Sequence, residues 1–171
     1  MTLWIDRVAS PVGTLTLVSD GEALRALSFE NNDGWLERHL AQHYADHDRV
    51  SARDPGGFST RLAAYFDGAL DAIDDIPARG EGSAFQRAVW AALREIPVGT
   101  TTTYGALARK LGKPPGASRA VGLANGANPV AIVVPCHRVI GAGDRLTGFG
   151  GGLARKQWLL AHEGFELRLM P

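Results

Sequence analysis

The sequence predicts an α+β protein in two parts: a small N-terminal α+β unit over residues 1–80 and a mostly helical C-terminal unit over 81–171. Three observations carry this reading. Polar–apolar alternation on both sides of a tight turn near the start marks a β-hairpin. In the second half apolar residues recur at helical spacing, and two short helices are joined by a Gly/Pro turn. Between the halves lies DAIDDIPARGEG (71–82), acidic and rich in Gly and Pro, as linkers are. With 171 residues and 18.2 kDa the chain can form one domain or two small ones.

In order along the chain, TLTLV (14–18) alternates as a half-buried strand does, Ser19-Asp20-Gly21 turns, and ALRALSFE (23–30) returns. Asn31-Asn32-Asp33 caps a helix over 34–46, 51–57 is loop, and a second helix over 58–70 lines up Phe58, Leu62, Tyr65 and Phe66. His39, His43 and His47 share one face of the first helix. The third lies about 12 Å along the axis from the first, and no carboxylate or Cys completes a metal site, so a packed face is the better reading. In the second half Ser83 and Gln86 form a capping box opening a helix to Ile96, with Phe85, Val89, Leu93 and Ile96 toward the core. TTTYGALARKLG (101–112) and SRAVGLANGAN (118–128) are helices around the turn GKPPGA; VAIVV (130–134) is a buried strand; LARKQWLLAH (153–162) is the last helix.

Composition excludes several classes. The chain is 45% apolar, yet no run approaches the ~18 apolar residues of a membrane span. Asp6 and Arg7 fall where a secretory signal would be apolar, so a reducing, cytoplasmic setting is expected. A single Cys forms no internal disulfide and no multi-Cys zinc site. The net charge is zero, but residues 1–80 hold 7 Arg against 13 acids and residues 81–171 hold 11 bases against 5 acids. A polyanion is attracted only by the second half. There, the helix from Ser118 carries Ala120, Gly122, Ala124 and Gly126, with Arg119 its only charge. Such small side chains let a backbone approach another surface closely, either a neighbouring helix or a narrow minor groove.

Cys136 follows the apolar run and Pro135, and His137 and Arg138 come directly after it. A lone Cys is by base rate a small core residue. Positive or basic neighbours instead favour thiolate, since a free thiol is only a few per cent ionised near pH 7. On an extended strand His137 would point away from Cys136, so it serves only if the chain turns there or a water bridges the two. A third group must orient the His, and Glu163, at the end of the last helix, is the better of the two acids beyond residue 144.

The run NPVAIVVPCHRVIG (128–141), with TTTYGALA (101–108) and KQWLLAHEG (156–164), resembles the alkylguanine-DNA alkyltransferases, also called methylated-DNA–protein-cysteine methyltransferases. An Asn-Pro precedes the PCHR run and an acid follows 27 positions after the Cys. The resemblance is close over 83–164 and only general in layout before that. It implies a ribonuclease-H-like N-terminal domain and a winged helix-turn-helix C-terminal domain. It implies repair of O6-alkylguanine, and of O4-alkylthymine, by irreversible transfer to Cys136. His137 would be the base through a water, Glu163 would hold the His, Asn128 would brace the turn, and Tyr104 would give a proton toward guanine. DNA contacts would come from Ser118, Arg119, Ala120, Gly122 and Asn125 in the minor groove and from Gln86, with Arg119 filling the gap left by a flipped nucleotide. Tyr104, Val139, Phe149 and Gly150 would form the substrate pocket. Many members carry Tyr and some Ser where this chain has Phe149 and Gly150, so one wall lacks two hydroxyls. No metal or other cofactor is implied; the partner is double-stranded DNA containing alkylated guanine. The protein is expected to act as a monomer, with room for cooperative binding along the duplex, and to be nucleoid-associated in use.

Two rival classes share these features: a Cys-His-Glu hydrolase, which turns over repeatedly and needs an oxyanion site, and a non-catalytic module that binds alkylated DNA, which has no use for a reactive Cys. A helix-turn-helix regulator needs base-reading side chains that the helix from Ser118 lacks.

Overall fold

The computed structural model describes residues 1–143 and 145–165. The chain divides into two compact units, Met1–Glu81 with Pro129–Val133, and Gly82–Asn128 with the residues from Val134 on.

The first unit is built on a four-stranded sheet, ordered β3-β2-β1-β4. β1 (Thr2–Val8) pairs antiparallel with β2 (Leu15–Ser19) and parallel with β4 (Asp48–Ser51), and β2 pairs antiparallel with β3 (Leu24–Phe29). β2 and β3 are the expected hairpin. Its turn is held by Asp20, whose carboxylate accepts the Glu22 and Ala23 N–H groups and pairs with Arg25 at 2.8 Å. α1 (Trp35–His43) lays Leu40 against Leu3, Val18 and Ala26, with Tyr44 completing the cluster, and α2 (Phe58–Phe66) buries Phe58, Leu62 and Tyr65.

Sequence reading misses β1 and β4, for a physical reason. β4 is exposed at all four residues and β1 buries only Leu3, so neither carries a hydrophobic alternation; the ladder between them makes them strands. Both helices stop short of the expected ends. α1 closes at His43, so His47 lies beyond it. The three histidines join Trp35 and Tyr44 in a chain of ring contacts, with Trp35 stacked on His39 at 4.8 Å. No group of His, Cys, Asp or Glu placed to hold a metal occurs among the described residues.

The run VAIVV is buried as expected but is not a strand. Val130 makes one isolated bridge to Leu27, Leu27 N–H donates to the Pro129 carbonyl at 2.9 Å, and residues 131–133 turn, with Ile132 at φ +72°. An apolar run reports burial, and burial does not require extension. A β-branched residue in the left-handed region costs roughly 1–3 kcal/mol, offset here by complete burial of the Ile132 side chain.

The second unit is helical. α3 (Ala84–Leu93) opens on the Ser83–Gln86 capping box and ties to α5 (Ser118–Gly126) where Trp90 Nε1 donates to the Ala124 carbonyl at 2.8 Å. Phe85, expected in the core, is only half-buried, with the Lys113 ammonium over its ring. α4 (Tyr104–Lys110) is capped by the Thr103 hydroxyl and connects to α5 through a 3₁₀ turn, Pro115–Ala117, completing the helix-turn-helix. β5 (Thr102–Thr103) pairs in parallel with β6 (Val139–Ile140), and α6 (Leu153–His162) follows. Among the described residues no helix is long and apolar enough to cross a membrane.

Gly82 is more than a linker residue. A Cβ there would come within 2.4 Å of the Trp90 ring, which its hydrogen bond to Ala124 holds in place. Gly82→Ala is therefore expected to lower stability by about 1–3 kcal/mol, read as a lower urea midpoint at unchanged slope.

Candidate active site

Cys136, His137 and Arg138 form a single 3₁₀ turn, and all three are buried. The chain therefore turns where a Cys–His relay requires it to. Pro135 enters the turn, and two backbone bonds close it, Cys136 N–H to the Val134 carbonyl and Arg138 N–H to the Pro135 carbonyl. Asparagines brace the turn on either side: Asn128 Nδ2 donates to the Val134 carbonyl at 2.8 Å and Asn125 Nδ2 to the Cys136 carbonyl at 3.4 Å.

Behind the turn stands Glu163, 4% exposed at the C-terminal cap of α6. His137 Nε2 lies 2.9 Å from Oε2, while Arg138 reaches both carboxylate oxygens, Nε to Oε1 at 2.8 Å and Nη2 to Oε2 at 3.0 Å. Arg138 Nη1 also donates to the Ile96 carbonyl at 2.8 Å. Burial alone would raise the Glu163 pKa. The hydrogen bonds and charges of His137 and Arg138 overcome it and hold the carboxyl down at about 2. His137 moves the other way: burial, aided by the charges of Arg138 and Lys156, keeps it below its ordinary value despite Glu163. An ionised carboxylate only accepts hydrogen bonds, so the proton of a neutral His137 sits on Nε2. Nδ1 is then the basic nitrogen, and it is buried without a hydrogen-bond partner among the described residues.

Burial pushes the Cys136 thiol up, opposed by a hydrogen bond from Asn128 and by the charge of Lys156. The resting group is a thiol, which needs a base at the moment of reaction. Arg138 does not supply the thiolate-favouring charge that its place in sequence suggests, because Glu163 takes it. Lys156 does, and sequence reading misses it. It is wholly buried on α6, and its ammonium donates to the carbonyls of Val139 (2.6 Å) and Thr147 (2.9 Å). Burial holds its pKa down at about 8. The only sequence signal was a lysine on the inward face of an amphipathic helix.

The β5–β6 ladder sets the start of α4, and so Tyr104, beside the strand that leaves the Cys136 turn. Tyr104 lines a cavity of about 550 Å³ together with Ser118, Arg119 and Gly122 from α5 and Phe149 and Gly150 from the glycine-rich loop. Thr147 and Leu123, neither singled out from sequence, also line it. Four expectations need correction or restatement. Val139 is wholly buried and is not in the wall; it serves through its carbonyl. Asn125, expected to touch DNA, is 3% exposed and braces Cys136 instead. Gln86 is half-buried and its amide oxygen accepts the Ser83 N–H of the capping box. Ala120 is exposed on α5 outside the cavity wall.

Two family descriptions match the chain: the DNA-binding domain of 6-O-methylguanine DNA methyltransferase over residues 84–165, and its ribonuclease-like domain over residues 7–79. The methylated-DNA–protein-cysteine methyltransferase of Salmonella typhimurium is 52% identical over 165 residues, covering 95% of this chain and 96% of that protein. The Mycolicibacterium paratuberculosis protein of the same name is 49% identical over 162 residues, covering 91% and 89%. Among solved structures, the Mycobacterium tuberculosis O6-methylguanine methyltransferase superposes with a TM-score of 0.76 at 40% identity over 95% of this chain and 93% of that one. The same organism's OGT in complex with DNA gives a TM-score of 0.78 at 40% identity over 94% and 92%. With both of its units matched and relatives this similar along nearly their whole length, the chain belongs to the methylated-DNA–protein-cysteine methyltransferase family.

Proposed function

We propose that this chain repairs DNA by moving the alkyl group of O6-alkylguanine onto Cys136, once per molecule. The observation that carries this is the geometry at the Cys136 turn: His137 Nε2 lies 2.9 Å from the Glu163 carboxylate, and Nδ1 is buried without a hydrogen-bond partner among the described residues, which leaves it to accept a proton. The thiol proton passes through a water to Nδ1 as Sγ attacks the alkyl carbon in line. The carbon–O6 bond breaks, its electron pair stays on the base, and the Tyr104 hydroxyl delivers a proton toward guanine. Glu163 stabilises the imidazolium that forms. The product is an S-alkyl thioether, which neither hydrolyses readily nor exchanges with thiols, so the protein is consumed.

An O6 alkyl group is out of reach inside a stacked duplex, so the nucleotide is flipped into the cavity at a cost of a few kcal/mol, least for a damaged pair. α5 lies in the minor groove with Arg119, exposed on its first turn and on the cavity wall, filling the gap. One molecule suffices for the reaction. The basic second half supplies a salt-sensitive attraction to phosphates.

Intact-protein mass spectrometry after incubation with DNA containing O6-methylguanine tests the reading. It expects a gain of one methyl, mapped to Cys136 and saturating at one per molecule. Cys136→Ala should abolish transfer and keep DNA binding; a methylated C136A protein would refute the assignment.

The same charge states set the acid limb of stability. Glu163, held below its ordinary 4.5 to about 2, contributes stability that is complete above pH 4.5 and lost as pH falls toward 2. His137, held below 6.5, acts in the same sense: below pH 6.5 the unfolded chain binds a proton that the folded one refuses, until the folded value is reached. Urea midpoints should therefore fall steadily on acidification from pH 7. Glu163→Gln should cost about 3–5 kcal/mol at neutral pH and fall less steeply below pH 4.5. An E163Q curve parallel to that of the unaltered protein would contradict the assignment of charge.

A further inference from the structure

Tyr104 and Thr147 are 43 residues apart in sequence, and their hydroxyls are hydrogen-bonded at 2.9 Å, with either oxygen able to donate. Both line the cavity. Thr147 precedes the glycines of the loop, but its own place is set. Its carbonyl accepts the buried Lys156 ammonium at 2.9 Å, and that ammonium's other bond, at 2.6 Å, goes to Val139 in β6. Its methyl lies 2.9 Å from where a Cβ on Gly141 would be, so the chain approaches it closely there. Oγ1 is thus presented to Tyr104 from a fixed backbone.

A phenol has one hydrogen that swings about the C–O bond, with the oxygen free to accept. If that hydrogen is spent on Thr147, Tyr104 has none for a base in the cavity. If Thr147 donates instead, the phenolic hydrogen is turned toward the cavity. The second arrangement is the one a bound guanine would draw out, because it satisfies all three groups at once. Phe149, on the same wall, has no hydroxyl to take Thr147's place.

We infer that Thr147 is a positioning residue for the transfer: its hydroxyl donates to Tyr104 Oη and aims the phenolic hydrogen at the departing guanine. This rests on the role given to Tyr104 above. The test uses the full chain and duplex DNA with one O6-methylguanine, measuring the methyl-transfer rate in the saturated complex and the Kd separately. Thr147→Val keeps the shape and removes the hydroxyl. It should slow transfer roughly tenfold, part of the 10²–10⁴-fold typical of a well-placed general acid, with Kd changed by less than about twofold. Thr147→Ser should return the rate to near that of the unaltered protein. In a Tyr104→Phe background T147V should add no further loss, since Thr147 acts only through the phenol. Thr147→Ala gives the same comparison should valine not fit. The inference is overturned by an undiminished rate in T147V, by a T147S protein as slow as T147V, or by a T147V loss of full size in the Y104F background. An unaltered protein that gains no methyl overturns the function itself, a result distinct from all three.

Discussion

A buried carboxylate held between an imidazole and a guanidinium is the constraint on which this site depends. Glu163 is nearly inaccessible and stands at the C-terminal end of α6, where the helix dipole disfavours a negative charge. Such a group persists only if its oxygens are fully hydrogen-bonded. Arg138 grips it with two nitrogens and uses a third on the Ile96 carbonyl, just beyond α3, and His137 adds a bond of its own. Three separated segments are drawn together by one charge, and removing it would leave an arginine buried without its counterion.

That arrangement also determines the chemistry. A carboxylate held ionised fixes which ring nitrogen of His137 carries the proton, and burial keeps the ring neutral. The state of the imidazole beside Cys136 is therefore set by a carboxylate 26 residues further along the chain. The cavity wall is set by different means, with two strand residues pairing in parallel to place Tyr104 and a buried lysine joining β6 to the loop carrying Thr147. Gly122 on α5 contributes by what it lacks: a Cβ there would sit 3.6 Å from the Tyr104 ring, in space that now belongs to the cavity.

Much of this was legible from the chain. The hairpin shows itself by alternation and α3 by its capping box and helical spacing. Cys136, His137 and Glu163 were singled out by the chemistry a lone cysteine requires, and the resemblance joined them to Asn128 and Tyr104. The rest carries no local signature. A strand with one buried residue, such as β1, has no periodic signature. The apolar run 130–134 advertised burial and concealed a turn with a left-handed isoleucine. Asn125, a DNA contact by the resemblance, is instead a buried brace, because its amide reaches the Cys136 carbonyl eleven residues away.

Sequence alone determined which residue types are present and the local rules they obey: one thiol, an adjacent imidazole, two acids near the end of the last helix, a small-residue helix with one arginine, and a basic half joined to an acidic one. Only the tertiary structure decided which charge answers which. Arg138 is two residues from Cys136 in the chain yet spends its charge on Glu163, while Lys156, 20 residues after the cysteine, supplies the field at the thiol. The reason is physical: periodicity and capping act over a few residues, whereas the pairing of buried charges is settled by which groups the packed chain brings within hydrogen-bonding distance.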